Sequence, residues 1–208
     1  AKAVTLLDSF IASQPQNPDV PDALLKVGHC HQQAAAQMVD PNERNKILGL
    51  ARAAYDKLLT QYGAHPLAAN AFFERAKVMA VAGDIGGAIN ELNRFQHEPF
   101  KNAVIAPLAC VRLATLLRSQ NKAPEAVPIL AACRATHEAN LLKDPARAPW
   151  AALLAYHQGV SLKEAGKPAE ALPILDALPK QFPNRPEGVE GALAAGRCRK
   201  EMALARYD

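Results

Sequence analysis

Two histidines and a cysteine stand at consecutive positions, His29, Cys30 and His31. Imidazole and thiolate groups are the ligands that zinc and copper prefer in proteins, so this run has the chemistry of a metal site. On a helix, however, successive side chains point about 100° apart, and a chelating pair needs a spacing of three or four residues. His29 and His31 are two residues apart, so we expect them to serve packing and polar contacts. A metal-binding module that uses this run, with further ligands such as Asp22, is kept as a minor alternative.

Catalytic motifs are missing from the rest of the chain. It contains no glycine-rich phosphate loop, no GxSxG nucleophile turn and no HExxH pair. The acidic pair Glu187 and Glu190 lies three residues apart at an expected helix start, where it complements the helix dipole. We therefore predict that the chain is not an enzyme and that it binds no cofactor.

Composition favours an all-α protein and excludes several classes of partner. Half of the 208 residues are hydrophobic and only 5% are aromatic, and alanine and leucine dominate. The net charge of +4 is spread along the chain without a basic block, which argues against a nucleic-acid partner. No apolar run approaches the roughly 18 residues that a membrane span needs, so we expect no membrane insertion. The compartment, cytoplasmic or periplasmic, stays open.

Clusters of proline, glycine and asparagine interrupt the chain at regular intervals, and apolar residues between them recur every three to four positions. This pattern predicts a string of antiparallel helices. Residues 125–130 (EAVPIL) and 170–175 (EALPIL) are nearly identical, which indicates a tandem repeat. Repeats of this length build solenoids, because each helix pair must bury its apolar face on its neighbours.

The repeat resembles the tetratricopeptide family, whose loose 34-residue pattern alternates small and large residues at fixed positions. Residues 152–185 match that pattern with the following residues: Gly159, Leu162, Gly166, Lys167, Ala171, Leu175, Leu178 and Pro183. The irregular spacing of the other units is similar to the divergent bacterial branch of the family. The resemblance implies a right-handed α-solenoid of antiparallel helix hairpins with about nine to ten helices.

The same alignment divides the chain into a single solenoid of full and half repeats. Their bounds are a half-repeat 1–18, repeats 19–66, 67–102, 103–148 and 149–185, and a half-repeat 186–208, and we expect the sequence to be a segment of a longer chain. Insertions are expected at 33–47, where they lengthen helices, and at 136–149, as a turn around Lys143, Asp144 and Pro145. Small residues should mark the helix crossings, at Gly28, Ala76, Ala114, Gly159 and Gly196, beside large ones such as Tyr55 and Leu175.

Tetratricopeptide arrays bind partners through the groove of their first helices, and the resemblance assigns eleven residues to that surface. They are His29, Gln32, Asn70, Phe73, Lys77, Thr115, Arg118, Tyr156, Lys163, Arg197 and Lys200. Their charge is mainly positive, so we expect a protein or peptide partner with an acidic or C-terminal carboxylate segment, and Phe73 and Tyr156 as apolar anchors. The alternatives are that these are ordinary solvated side chains, or that the chain is a structural spacer or a homo-oligomerisation segment of a larger multidomain protein, with self-association through its end repeats.

Overall fold

Helices make up all the regular secondary structure of the computed structural model, which describes residues 2–205. The first five are α1 (Lys2–Ser13), α2 (Val20–Ala36), α3 (Pro41–Gln61), α4 (Ala68–Val81) and α5 (Ile85–Asn93). A short 3₁₀ helix (Arg94–Gln96) precedes α6 (Ala106–Ser119), α7 (Ala123–Lys143), α8 (Ala148–Glu164), α9 (Pro168–Gln181) and α10 (Pro186–Leu204). Ten α-helices in the described range confirm the all-α prediction. Residue 1 and residues 206–208 of the predicted terminal half-repeats lie outside that range.

The turns inside three hairpins share one backbone conformation. Gly83 after α4, Asn121 after α6 and Gly166 after α8 all have positive φ, at 94°, 59° and 76°. Glycine and asparagine tolerate this left-handed region best, which explains why they punctuate the sequence there. Proline stands in the first turn of the helix that follows two of these turns, at Pro124 and Pro168, where its missing N–H costs nothing. The predicted hairpin turns are therefore where the sequence pattern puts them.

The chain divides into two compact units, Ala1–Leu92 and Asn93–Asp208. In the first unit α2 packs against α1 and α3, and α4 lies beside both α3 and α2. Its core includes the fully buried Tyr55 and Leu58 of α3 and Val20 and Leu24 of α2. A side chain at Gly28 would collide with the ring of Tyr55, so α2 and α3 cross where the repeat pattern predicts.

In the second unit each helix from α6 to α10 packs on the next. Helices α6, α8 and α10, each the first helix of a repeat and called first helices below, are also neighbours. Leu175 and Leu178 of α9 are fully buried there, together with Cys198 of α10. A Cβ at Gly159 would lie only 2.5 Å from Cδ2 of Leu175. The small residue on α8 and the large one on α9 therefore fit together as predicted.

Two sequence expectations about this unit are wrong. Gly196 was expected to be small because a second helix crosses it, yet a Cβ there would meet no atom within 4 Å. The reason is that no second helix follows α10 among residues 2–205. The insertion 136–149 was expected to be a turn, but its first part continues α7 to Lys143, because the buried Leu141 holds the added turns against the unit.

A membrane span requires a long helix of almost entirely apolar residues, and none of the helices among residues 2–205 meets that requirement.

Candidate peptide-binding surface of the first helices

The eleven predicted groove residues all lie on first helices and fall into two groups. The first-unit surface consists of His29 and Gln32 on α2 and of Asn70, Phe73 and Lys77 on α4. The second-unit surface consists of Thr115 and Arg118 on α6, Tyr156 and Lys163 on α8, and Arg197 and Lys200 on α10. Each surface is held together by acidic residues that the sequence argument did not include.

Glu74 of α4 is the centre of the first-unit surface. Its carboxylate accepts hydrogen bonds from Nε2 of Gln32 at 3.0 Å and from Nζ of Lys77 at 2.7 Å, and Nε2 of His29 lies 3.8 Å away. Gln32 also donates to the hydroxyl of Tyr55 at 2.8 Å. Glu74 is 13% exposed, and burial alone raises its pKa, but the neighbouring His29 and the donors Lys77 and Gln32 outweigh burial and lower the pKa to about 2. The carboxylate is therefore ionised at neutral pH.

This arrangement changes what the predicted residues offer to a partner. His29, Gln32 and Lys77 are brought together, but their polar groups already face Glu74. Phe73 is only 8% exposed, so its ring belongs to the core and is not an exposed anchor. Nζ of Lys77 lies over this ring, 5.3 Å from its centroid. Asn70 is half-buried one turn earlier on α4.

The His29–Cys30–His31 run has a structural explanation in the same place. His29 faces Glu74, and its ring lies edge-on to that of Tyr55 with centroids 6.2 Å apart. Among residues 2–205 no three His, Cys, Asp or Glu side chains come together in a way that could hold a metal ion. His29 therefore makes packing and polar contacts within the first unit.

Two ion pairs join successive first helices in the second unit. The guanidinium of Arg118 donates through Nε and Nη2 to both carboxylate oxygens of Glu164, each at 2.7 Å, which links α6 to α8. Lys163 Nζ lies 3.0 Å from Glu201, which links α8 to α10. These hydrogen bonds from Arg118 lower the pKa of Glu164. Arg118 also lies 3.2 Å from Nδ1 of His157, whose pKa is lowered to about 4 by burial and by that positive charge, so His157 is neutral at pH 7.

The positive charge that stays available on the second-unit surface is on α10. Arg197 and Lys200 are exposed, and neither forms an ion pair within the described part of the chain. Tyr156 is half-buried, with its ring edge-on to His157 at 5.3 Å. Burial and Glu190 raise the pKa of Tyr156, and the charges of Arg118 and Arg197 oppose them. The hydroxyl of Thr115 is occupied by the carbonyl of Val111 at 2.9 Å.

Sequence reasoning overestimated the positive charge because it missed the acidic partners. Glu164 and Glu201 each follow a predicted lysine by one residue, and Glu74 precedes Lys77 by three. A spacing of three residues puts Glu74 on the same face of its helix as Lys77, so the sequence did contain the signal for that pair. Residues one apart point about 100° apart, and Glu164 and Glu201 instead pair with cations on other helices, which the sequence alone does not indicate. Three of the five predicted cations are paired within the chain, namely Lys77, Arg118 and Lys163.

Comparison with known proteins supports the repeat assignment. A family model described as tetratricopeptide repeat matches residues 153–185. Among solved structures, the chain is similar to YrrB, described as a TPR protein with an unusual peptide-binding site, at 18% identity over 97% of each chain with a TM-score of 0.55. A tetratricopeptide repeat protein from Parabacteroides merdae is 16% identical, over 98% of this chain and 79% of that one, with a TM-score of 0.44. No curated protein sequence matches.

The matched segment is the hairpin in which the sequence carries the signature residues, α8 and α9. There Gly159 packs against Leu175, and Gly166 makes the left-handed turn. The likeness to YrrB extends over nearly all of the chain and shows its fold. Residues 153–185 therefore match the tetratricopeptide repeat family, and the chain as a whole has an all-helical α-solenoid fold similar to that of a tetratricopeptide repeat protein.

Proposed function

We propose that this chain is a non-catalytic scaffold that binds an extended or C-terminal peptide segment of a partner protein along its first helices. The repeat fold supports a role in protein interaction, and the structurally similar YrrB is described as having a peptide-binding site. The observation that carries the proposal is the pair of exposed cations on α10, Arg197 and Lys200, of which Arg197 is near enough to Tyr156 for its charge to lower the pKa of that hydroxyl.

The second-unit surface has the chemistry that an acidic peptide requires. A guanidinium without an internal partner binds a carboxylate through two parallel hydrogen bonds, and an ammonium adds charge without strict geometry. Leu193, one turn before Arg197, is 55% exposed and offers apolar area beside these charges. The preferred ligand is therefore an extended segment with a carboxylate next to an apolar side chain.

The first-unit surface is less suited to the same ligand. A carboxylate that approaches Lys77 must compete with Glu74, which Lys77 already contacts through both oxygens, at 2.7 and 3.0 Å. Because that internal pair is mostly shielded from solvent, we expect charge changes at Lys77 to alter stability more than peptide affinity.

A peptide-display selection against the whole chain tests the proposal. We expect enriched peptides to combine acidic and apolar residues, and their Kd, measured by fluorescence anisotropy, to rise at least roughly tenfold in the double variant Arg197→Glu and Lys200→Glu. The matched control is Lys143→Glu with Lys180→Glu, which makes the same charge change at two exposed lysines on the second helices α7 and α9. It should bind as the wild type does. Equal losses in both double variants, or no enrichment, would contradict a site on the first helices.

A structural role through self-association is the second candidate. The exposed face of α10 carries Val189, Leu193 and Leu204, and the space beside Gly196 is open. Sedimentation velocity over a wide concentration range distinguishes the two roles. A molecular mass that rises with concentration, and falls back in Val189→Asp with Leu204→Asp, supports self-association. A constant monomer mass excludes it and leaves peptide binding intact.

A further inference from the structure

Two cysteines of one hairpin in the second unit line the same small cavity. Cys110 is on α6 and Cys133 is on α7, and these helices pack directly on each other. The equivalent residues of the next hairpin are Ala155 on α8 and Leu178 on α9, both buried and both apolar. Aliphatic side chains thus satisfy the packing at this place in the repeat, and the cysteine pair adds a reactivity that packing does not require.

The side chains of both cysteines are largely shielded from water. Cys110 is 4% exposed and Cys133 is 6% exposed. The neighbouring thiol of Cys110, together with burial, raises the pKa of Cys133. The other two cysteines lie on different helices: Cys30 is half-buried on α2 of the first unit, and Cys198 is buried on α10. All four are free thiols.

A cavity gives small molecules access to the pair. It has a volume of about 110 Å³, and both Cys110 and Cys133 line it. Other parts of its wall are Gln96, Lys101 and Thr136, of which Lys101 and Thr136 are exposed at the surface. The volume holds several molecules the size of water but is too small for a tripeptide disulfide.

We propose that Cys110 and Cys133 form a redox-active dithiol that a small peroxide oxidises to an intramolecular disulfide between α6 and α7. With hydrogen peroxide, the sulfur of one thiolate attacks an oxygen, the S–O bond forms and the O–O bond breaks; the leaving hydroxide takes up the proton that the thiol released, so that a sulfenic acid and one water form. The second sulfur then attacks the sulfenic sulfur, the S–S bond forms, the S–O bond breaks, and a second water leaves with the remaining proton. Two electrons pass from the sulfurs to the peroxide, and a dithiol reductant reverses the reaction. This site is independent of the peptide-binding surface.

Peroxide treatment of the whole folded chain, followed by alkylation and peptide mapping without reduction, tests the proposal. Trypsin places the two cysteines in different peptides, 102–112 and 123–134, so an internal disulfide appears as a cross-link between them. We expect that cross-link in the wild type and in Cys30→Ser with Cys198→Ser, and its loss after addition of dithiothreitol. In Cys110→Ser or Cys133→Ser the remaining thiol should instead be trapped as a sulfenic acid by dimedone.

A second measurement keeps the test meaningful if a single serine variant folds poorly. In Cys30→Ser with Cys198→Ser, which retains the dithiol, oxidation should raise the melting temperature, because the cross-link restricts the unfolded chain, and reduction should reverse the rise. Full alkylation of Cys110 and Cys133 after peroxide treatment would overturn the proposal. So would a cross-link that forms only in denaturant, or one that joins Cys30 or Cys198 instead.

Discussion

Glycine has different surroundings at helix positions that the repeat pattern treats as equivalent. At Gly159 the side chain of the buried Leu175 occupies the space that a Cβ would need, and at Gly28 the ring of Tyr55 does so. At Gly196 that space is open. Glycine is therefore required at Gly28 and Gly159 because a larger residue would collide with its neighbour. At Gly196 nothing requires it, and there it only makes the helix less stable than alanine would.

We predict opposite effects of alanine at two of these glycines. Gly159→Ala should lower the free energy of unfolding by about 1–3 kcal/mol, because Leu175 is buried and has little room to move away. Gly196→Ala should raise it by up to about 1 kcal/mol, because alanine is the better helix former and meets nothing. Urea unfolding followed by circular dichroism measures both. Similar changes in the two variants would show that the crossing of α8 and α9 is looser than described.

The ionised Glu74 makes the first unit sensitive to acid. Its pKa of about 2 lies below the usual 4.5, so its stabilising contribution is complete above about pH 4.5 and is lost as the pH falls towards 2. The shift corresponds to roughly 3 kcal/mol. Glu74→Gln should be less stable than the wild type at neutral pH and should lose less stability over that pH window.

The matched control for this prediction is Glu43→Gln, at an exposed carboxylate of α3 in the same unit. Urea unfolding at a series of pH values should give it the slope of the wild type. If Glu74→Gln also follows the wild-type slope, the polar cluster around Glu74 does not hold its carboxylate in the charged form.

At the scale of helices, ion pairs connect one first helix of the second unit to the next. The pair of Arg118 and Glu164 has two hydrogen bonds, and the Arg118 side chain is mostly buried. The pair of Lys167 and Glu170 lies within one helix turn, and both side chains are exposed. Its two hydrogen bonds and its lower exposure should make the pair of Arg118 and Glu164 the more stabilising of the two.

A double-mutant cycle should measure that difference. We expect a coupling energy of about 1 kcal/mol between Arg118 and Glu164 in alanine variants, since Glu164 is partly exposed and solvent weakens the pair. The same cycle on Lys167 and Glu170 should give about 0.3 kcal/mol or less. Equal couplings would mean that the link between α6 and α8 contributes no more than an ordinary surface pair.

Local patterns predicted the helices and the hairpin turns well, because the spacing of apolar residues and the turn residues both involve positions that are close together in the sequence. Gly83, Asn121 and Gly166 could be placed from the sequence for this reason. The polar contacts of the candidate binding surface could not be predicted in this way. Gln32 meets Glu74, 42 residues away, and Arg118 meets Glu164, 46 residues away, so these pairs depend on how hairpins stack. The continuation of α7 depends in the same way on the burial of Leu141.

At the scale of the molecule, each unit has a hydrophobic core of its own. The second unit buries Leu175 and Leu178 of α9 and Cys198 of α10. In repeat proteins stability comes chiefly from contacts between adjacent elements, so a group of neighbouring hairpins often suffices for folding.

We therefore predict that residues 93–208 fold when they are produced alone. The fragment should give a helical circular dichroism spectrum and one sigmoidal urea transition, since α6 to α10 pack in an unbroken series. A weak helical signal, or a gradual loss of signal without a transition, would show that the second unit depends on the rest of the chain.

The second helices of the hairpins differ in length by a block of residues that nearly completes two helical turns. Helices α3 and α7 each have 21 residues, against 14 in α9, a difference of seven. Aligned on Ala51, Ala126 and Ala171, the added residues lie at the start of α3 and at the end of α7. Seven residues turn a helix through nearly two full rotations and return it to within about 20° of its starting direction. Insertion or deletion of such a block leaves the rotational phase of the buried stripe unchanged, so repeats can differ in length while the helix contacts inherited from a common repeat are preserved.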